Sequence, residues 1–409
     1  MHSYEKVCYS IFFGLSVFMP VFSQGLPTID PESVGLSSQQ LKLMTTTVQT
    51  FVDQGKLAGV TTMVVRKGKV AHFETYGFRN KESAQLMTQD TIFRIYSMTK
   101  PITSVAVMLL HEQGKLQLDD PVSKYMPELK DLKVYVSGTG KDIVVESPNR
   151  EMTVRHLLNH TSGLIYGWGD SPVDRMYGSL MGRNQSLSEM MAKFKHIPLR
   201  YHPGEKWAYG VSTDLLGYLV EVLSGMRLDQ FLNQHIFTPL GMKDTAFYVP
   251  EEKIERLATI YEKDQDGIKA GEPVNFDHVT KSPKFLSGGG GLYSTASDYI
   301  RFAQMLLNRG ELDGMRVLTV ETVELMIKNH ISPEVDFEQG RIYMLEGFGL
   351  GFGIWPLNLK GWAGIANTYF FINFETETIS MLWTQLRPSE AYPMLIFGFT
   401  QLVGQSVIE

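Results

Sequence analysis

Cysteine is almost absent from this chain: among 409 residues there is only one, Cys8. Disulfides within the chain and thiolate metal clusters are excluded, because both need at least two thiols. Cys8 lies in an apolar run, Val7 to Met19, that follows Lys6 and leads to small residues near Ser23. We interpret residues 1–23 as a signal peptide, so that the exported chain has no cysteine nucleophile. The alternative is a buried N-terminal helix.

Long apolar runs and basic blocks are missing as well. The run at 7–19 is too short to span a bilayer comfortably, so no stable membrane span is expected after signal removal. The expected location is the periplasm or the outside of the cell. The net charge is −6 without a compensating basic block, which argues against a nucleic-acid partner. Composition does not indicate the oligomeric state.

Several signature patterns are also absent. No unit of roughly 20–50 residues repeats, which argues against a solenoid or a propeller. The Gly-x-Ser-x-Gly elbow of α/β-hydrolases is missing, and so is the phosphate-binding P-loop pattern. We therefore interpret the glycine runs at 288–291 and 347–353 as sites of close packing, and no cofactor is expected.

What is present is a serine and a lysine at a predicted helix start. Thr91–Tyr96 has an extended pattern and precedes apolar residues with helical spacing, which end at Gly114. Ser97 then lies at the helix start, with Lys100 one turn later on the same face. The N-terminus of a helix favours developing negative charge, and a nearby amine can activate serine without histidine. A capping serine beside a solvated lysine would give the same pattern.

Strand signals are confined to the two ends of the chain. The predicted strands lie at 60–65, 69–76, 350–354, 368–374 and 379–385. The predicted helices lie at 37–54, 154–158, 187–195, 213–223, 228–236, 296–307 and 392–403, and a polar excursion lies at 133–150. Because the strands lie at the ends, we expect them to pair in one sheet, with the helical middle as an insertion.

Two further stretches can contribute to a site. Tyr209 lies on a turn just before Ser212, which we expect to cap the next helix. If Tyr209 faces Lys100, the positive neighbour would lower its phenolic pKa and let it act as a base. The glycines of 361–367 precede a strand, where an exposed N–H can join that of Ser97 in an oxyanion hole. The alternatives are an ordinary pocket-wall tyrosine and an ordinary turn.

These motifs together resemble the serine β-lactamase and penicillin-binding-protein superfamily, in the class C-like branch that includes family VIII carboxylesterases. The stretches that carry the resemblance are Ser97–Lys100, Met152–Leu164, Pro203–Tyr209, Phe237–Thr245, Gly288–Thr295, Gly347–Gly353 and Gly361–Gly364. The resemblance implies a β-lactamase-like α/β (α+β) fold, with an antiparallel sheet from the N- and C-terminal segments flanked by helices. Its α/β domain would comprise 24–95 and 340–409, its mainly helical domain 96–339, and the nucleophile would lie at their interface.

The resemblance also implies the chemistry of the site. Ser97 would attack a carbonyl, Lys100 and Tyr209 would act as acid and base, and water would resolve the acyl-enzyme. Which of the two is the base stays open. The N–H groups of Ser97 and Ile365 would form the oxyanion hole. No metal is expected, since His156 and the histidine four residues later have no evident third ligand.

Two departures from the family pattern bear on the substrate. The second motif has Val211 where the amide-acting relatives have asparagine, and the third motif begins with Trp362 where they have lysine. Both changes remove partners for an anionic amide substrate and favour a carboxylic ester. The alternatives are a weak β-lactamase, D-amino-acid peptidase or acyltransferase, and a non-catalytic binding protein. The residues predicted to bind substrate are Trp362, Ala363, Gly364, Tyr96, Val211, Tyr166 and Trp168.

Overall fold

The computed structural model describes residues 25–178, 180, 182, 184–265, 267–271, 279–388 and 393–408. The predicted signal peptide, residues 1–23, lies outside this part of the chain and stays a prediction, as does export. Tyr392, the predicted start of the closing helix, also lies outside it. Among the described residues, no helix combines the length and the apolar character needed to cross a bilayer.

Each predicted helix has a counterpart in the structure, and the described residues also contain short helices that the sequence pattern did not predict, at 172–178, 238–240, 320–327 and 338–342. The helix bounds are α1 Ser38–Asp53, α2 Thr99–Glu112, α3 Val154–Leu158, α4 Pro172–Gly178, α5 Leu187–Phe194, α6 Ser212–Ser224, α7 Leu228–Leu232, α8 Thr238–Leu240, α9 Ala296–Leu307, α10 Val320–Ile327, α11 Glu338–Ile342 and α12 Pro393–Ser406. The helix predicted at 228–236 changes to a π-helical turn, Asn233–Phe237, after α7.

The strands are β1 Gly59–Arg66, β2 Lys69–Asn80, β3 Gln85–Leu86, β4 Phe93–Arg94, β5 Val134–Ser137, β6 Val144–Glu146, β7 Tyr261–Asp264, β8 Gly267–Ala270, β9 Tyr293–Ser294, β10 Glu311–Leu312, β11 Met315–Arg316, β12 Gly347–Phe348, β13 Gly353–Trp355, β14 Leu359–Gly364, β15 Thr368–Asn373, β16 Thr378–Trp383 and β17 Leu386–Arg387. The largest sheet has the order β12-β13-β14-β15-β16-β1-β2-β3.

The two ends of the chain meet in this sheet. β1 pairs antiparallel with β16 on one side and with β2 on the other, with Met63 opposite Met381 and Phe73. β1 and β16 are buried along nearly their whole length, which suits their β-branched and apolar residues. The predicted antiparallel sheet of N- and C-terminal strands is confirmed. The domain division at 95/96 and 339/340 stays a prediction.

Helices cover both faces of the sheet. On one face, α1 and α12 share a core that includes Leu41, Val48 and Phe399. On the other face, Tyr299 of α9 packs edge-on against Phe370, with ring centroids 5.0 Å apart. This second face carries the larger core, which also contains α2 and α6. Every residue of α2 from Thr99 to Met108 is buried, so α2 is the central helix of this layer.

The structure refines the sequence interpretation at several places. The polar excursion at 133–150 contains a small hairpin, β5–β6. The extended segment predicted at 91–96 is reduced to the short strand β4, in which both backbone groups of Arg94 bond the Gln385 side-chain amide. The stretch 361–364, interpreted as a turn, is the end of strand β14, and the turn follows at 365–367.

Candidate active site

Ser97 lies in a tight turn between β4 and α2. Tyr96–Met98 forms one turn of 3-10 helix, and α2 begins only at Thr99. The predicted helix start at Ser97 is therefore two residues early. Tyr96 has φ 43°, a left-handed conformation that is rare for a residue other than glycine. Strained backbone of this kind clusters at functional sites, and here it immediately precedes the predicted nucleophile.

Lys100 is buried beneath Ser97 and uses its amine as the centre of a small network. Its Nζ donates to Gly289 O at 2.7 Å, to Tyr166 Oη at 2.8 Å and to Ser97 Oγ at 3.2 Å. Burial lowers the pKa of Lys100 from its usual value to about 7, and the nearby negative charge of Asp214 opposes this shift. A buried amine with this pKa is partly unprotonated near neutral pH and can accept a proton.

Tyr209 is held from three directions. Its Oη accepts a hydrogen bond from Trp362 Nε1 at 3.1 Å, and its backbone N donates to Gln339 Oε1 at 2.8 Å. Lys100 Nζ lies 4.6 Å from the centre of the Tyr209 ring. The predicted pKa shift is nevertheless wrong in sign. Burial raises the pKa of Tyr209 well above its usual value, and the hydrogen bonds with Ser97 and Trp362 only partly oppose this.

The end of β14 lies against the turn that carries Ser97. A Cβ on Gly364 would lie 2.5 Å from the Ile95 carbonyl oxygen, so only glycine permits this approach. Ile365 follows in the turn and is 38% exposed. Among the described residues, no acceptor is recorded for the N–H of Ser97 or of Ile365. Both groups are therefore available as oxyanion donors. The Ser212 hydroxyl, which was predicted to cap α6, instead bonds Ser162 Oγ.

An aromatic surface borders the site. Tyr166 stacks on Trp168, with centroids 4.7 Å apart, and meets Tyr209 edge-on at 5.4 Å. Trp168 is 65% exposed, so its ring faces solvent beside the site. Tyr166 reaches the amine of Lys100 with its hydroxyl and is more than a wall residue. Trp362, one of the residues predicted to bind substrate, is almost fully buried and contacts Tyr209.

Three of the residues predicted to bind substrate lie differently from expectation. Val211 is 0% exposed in the core, so its side chain is not available to substrate in this structure. Ala363 packs into the core beneath α1 and α12, because side chains alternate between the faces of β14. The Tyr96 ring lies under the guanidinium of Arg94, 4.4 Å away, and its buried Oη has no hydrogen-bond partner in the described structure.

The sequence analysis missed two residues of the network around Lys100. Asp214, in the first turn of α6, is buried close to the amine, and Gly289 supplies the carbonyl that Lys100 bonds. The glycine run at 288–291, interpreted above as a site of close packing, is the available signal in the sequence. His156 is used structurally, since its Nδ1 accepts the Thr153 N–H. Among the described residues, no cluster of three potential metal ligands was found.

Residues 44–400 match the family model described as Beta-lactamase. The chain belongs to the beta-lactamase family. Its residues, order of motifs and fold agree with the class C-like branch, so the resemblance seen in the sequence is confirmed. The protein is thus a serine hydrolase of the beta-lactamase family.

Two similar proteins and one solved structure illustrate the range of relatives of this chain. Protein Rv1367c of Mycobacterium tuberculosis is 36% identical over 311 residues, 75% of this chain and 77% of that protein. Esterase EstB of Burkholderia gladioli is 31% identical over 297 residues, 67% of this chain and 72% of that protein. The solved structure of simvastatin synthase (LovD) from Aspergillus terreus has a TM-score of 0.77 at 24% identity. It covers 91% of this chain and 98% of that one, and shows the fold alone.

Proposed function

We propose that this protein hydrolyses small carboxylic esters through an acyl-enzyme on Ser97, with Lys100 as the base and Tyr209 as the proton relay. The observation that carries the proposal is the hydrogen bond of 3.2 Å between Lys100 Nζ and Ser97 Oγ. Because burial brings the pKa of Lys100 to about 7, a large share of the amine is neutral at physiological pH. Tyr209, whose pKa is raised, stays a neutral phenol and is suited to pass a proton on.

The proposed reaction has two halves. In the first, Lys100 Nζ takes the Ser97 hydroxyl proton while Ser97 Oγ bonds the ester carbonyl carbon, and the N–H groups of Ser97 and Ile365 stabilise the oxyanion. The C–O bond to the alcohol then breaks, and the alcohol oxygen receives the proton from Lys100 through the Tyr209 hydroxyl. In the second half, a water oxygen bonds the acyl carbon while Lys100 takes a proton from the water. The bond from that carbon to Ser97 Oγ then breaks, and Ser97 Oγ receives the proton as the carboxylic acid leaves.

The chemistry around the site favours esters over anionic amides. Trp362 replaces the lysine of the family's third motif, so this position offers no cation to a carboxylate. Its indole N–H is also already bonded to Tyr209 Oη. Val211 replaces the amide of the second motif and is buried. The exposed ring of Trp168 suits an apolar acyl or alcohol group instead. The name of esterase EstB supports the same substrate class.

The test is a side-by-side assay of the wild-type protein with a short-acyl 4-nitrophenyl ester and a chromogenic cephalosporin. We expect ester turnover, little cephalosporin cleavage, and an acyl group found by mass spectrometry on the peptide that contains Ser97 when the reaction is quenched. Acylation of a different residue would contradict the nucleophile. Faster cleavage of the cephalosporin would contradict the ester preference and favour an amide-acting enzyme.

The pKa of Lys100 predicts the pH dependence of the ester reaction. The free base is the active form, so kcat/KM should be low in acid and should rise through a single ionisation at about pH 7. Measurements with an alkyl ester followed by pH-stat or chromatography avoid the titration of nitrophenol. A profile that stays flat from about pH 6 to 8 would contradict Lys100 as the base.

A further inference from the structure

Asp214 is a buried carboxylate next to the site that the proposed reaction does not use. It belongs to the first turn of α6 and is 0% exposed. Its Oδ1 accepts hydrogen bonds from Ser287 Oγ at 2.6 Å and from Gly289 N at 3.1 Å. Its buried Oδ2 has no hydrogen-bond partner in the described structure. Such burial of an acid with an unsatisfied oxygen is unfavourable for folding, which points to a role outside stability.

Gly289 connects this carboxylate to Lys100. Its N–H donates to Asp214 Oδ1, while its carbonyl accepts the shortest hydrogen bond of Lys100 Nζ, at 2.7 Å. A Cβ at this position would lie 2.7 Å from Asp214 Oδ2 and 3.2 Å from Tyr166 Oη, so glycine allows the loop to pass between the acid and the amine network. The orientation of the Gly289 carbonyl therefore depends on Asp214.

The other titratable groups that face Lys100 come from the loop after α3, the turn before α6 and α6 itself. Tyr166 and Tyr209 are neutral phenols with raised pKa values, because they are buried. His160 is buried, and its pKa is held well below the usual value by burial and by the charge of Lys100. Asp214 is the acid that interacts with the amine, and its negative charge opposes the effect of burial on the pKa of Lys100. Burial raises the pKa of Asp214 itself, and Ser287 and Lys100 oppose that shift.

We propose that Asp214 is a positioning residue for Lys100: it holds the Gly289 carbonyl against the amine and supplies the counter-charge for the ammonium that forms when Lys100 takes the Ser97 proton. This inference rests on the proposed function. In the described structure Asp214 has no hydrogen bond with Ser97, Lys100 or Tyr209, and its side chain is shielded from solvent. Asp214 acts on Lys100 in two ways: through its hydrogen bond to the Gly289 peptide, and through its negative charge, which water does not screen in this buried site.

The test is Asp214→Asn, which keeps an oxygen for Ser287 and Gly289 but removes the charge. Without the carboxylate, the ammonium form of Lys100 is less favourable, so the acidic limb of the kcat/KM profile should move to lower pH, by about one unit. We expect kcat to fall about 10- to 100-fold. KM should change little, because the buried Asp214 side chain is not placed to contact bound substrate. A merely structural role would lower activity without moving the limb.

Asp298→Asn is the matched control. Asp298 is another buried helical carboxylate, which accepts from Asp244 N at 2.7 Å and from Thr245 Oγ1 at 2.9 Å, away from the Lys100 network. The acidic limb of the kcat/KM profile of Asp298→Asn should coincide with that of the wild type. The inference would be overturned if Asp214→Asn has the circular dichroism spectrum of the folded wild type and the acidic limb of its kcat/KM profile lies at the wild-type pH.

A second variant keeps the inference testable if Asp214→Asn does not fold. Ser287→Ala removes the hydroxyl that anchors Asp214 Oδ1 and should lower kcat several-fold at constant KM. An unchanged kcat would overturn the positioning role. Failure of the proposed function is a separate result: it would appear as ester turnover that does not acylate Ser97, whatever the behaviour of Asp214→Asn.

Discussion

Replacing Ser97 by alanine is expected to reduce ester turnover by about 10⁴-fold or more. The variant lacks the oxygen that forms the acyl bond, whereas the Lys100 amine keeps its bonds to Gly289 and Tyr166. The residual rate should come only from substrate binding and the oxyanion donors. Steady-state kinetics with a 4-nitrophenyl ester measures the loss. Intact-mass spectra of the quenched reaction should show no acylated protein.

Ser104→Ala is the control for this experiment. Ser104 lies one turn beyond Lys100 on the same helix, is buried, and its Oγ has no hydrogen-bond partner in the described part of the chain. We expect near wild-type turnover, because this hydroxyl is not part of the network around Lys100. The Ser97→Ala variant is purified by a second, different procedure to remove contaminating esterases. If it still retained more than about a tenth of the wild-type rate, Ser97 would not be the nucleophile.

Replacing Lys100 by methionine is expected to reduce kcat/KM about 10³-fold. Methionine has a similar length and fills the buried space, but it cannot take the Ser97 proton. The ionisation expected near pH 7 should also disappear from the profile, and the residual rate should rise with hydroxide concentration. Acylation should become slow enough to follow by stopped-flow or by the rate of nitrophenol release in a single turnover.

Lys360→Met separates the role of the amine from the general cost of removing a buried lysine. Lys360 lies in β14, is buried, and its pKa is lowered by burial as well, but its Nζ bonds Asn358. This variant should retain the ionisation near pH 7 and most of the activity. If Lys100→Met kept that ionisation, or lost no more activity than Lys360→Met, another group would be the base.

Local sequence patterns were sufficient for the elements that carry the site. The apolar spacing after Lys100 predicted α2, and the alternation at 60–76 predicted the β1–β2 hairpin, because a helix or a strand with one buried face leaves its period in the sequence. The spacing of Ser97 and Lys100 predicted their contact, which the structure makes between the 3-10 turn and the first turn of α2. The order of motifs was sufficient for the family.

The electrostatics of the site could not be obtained in the same way. We expected Lys100 to lower the pKa of Tyr209, but burial raises it, and only the hydrogen bonds with Ser97 and Trp362 oppose this. Burial has also lowered the pKa of Lys100 itself. The degree of burial depends on layers of α6, β14 and the loop of Tyr166, which are far apart in the chain. The same is true of Trp362, which the resemblance places among the substrate-binding residues: its burial and its hydrogen bond with Tyr209 became visible only in three dimensions.

The sequence by itself determined the family and the sheet built from both ends, and it proposed Ser97, Lys100 and Tyr209 as site residues. Each of these follows from short-range spacing or from motif order. Tertiary structure decided which groups surround the amine. Gly289 and Asp214 come to Lys100 from segments far from it in the chain, and only their packing brings a carbonyl, a carboxylate and an amine into one buried volume. In that volume water is excluded, so burial and a few fixed charges set the proton affinities on which the chemistry depends.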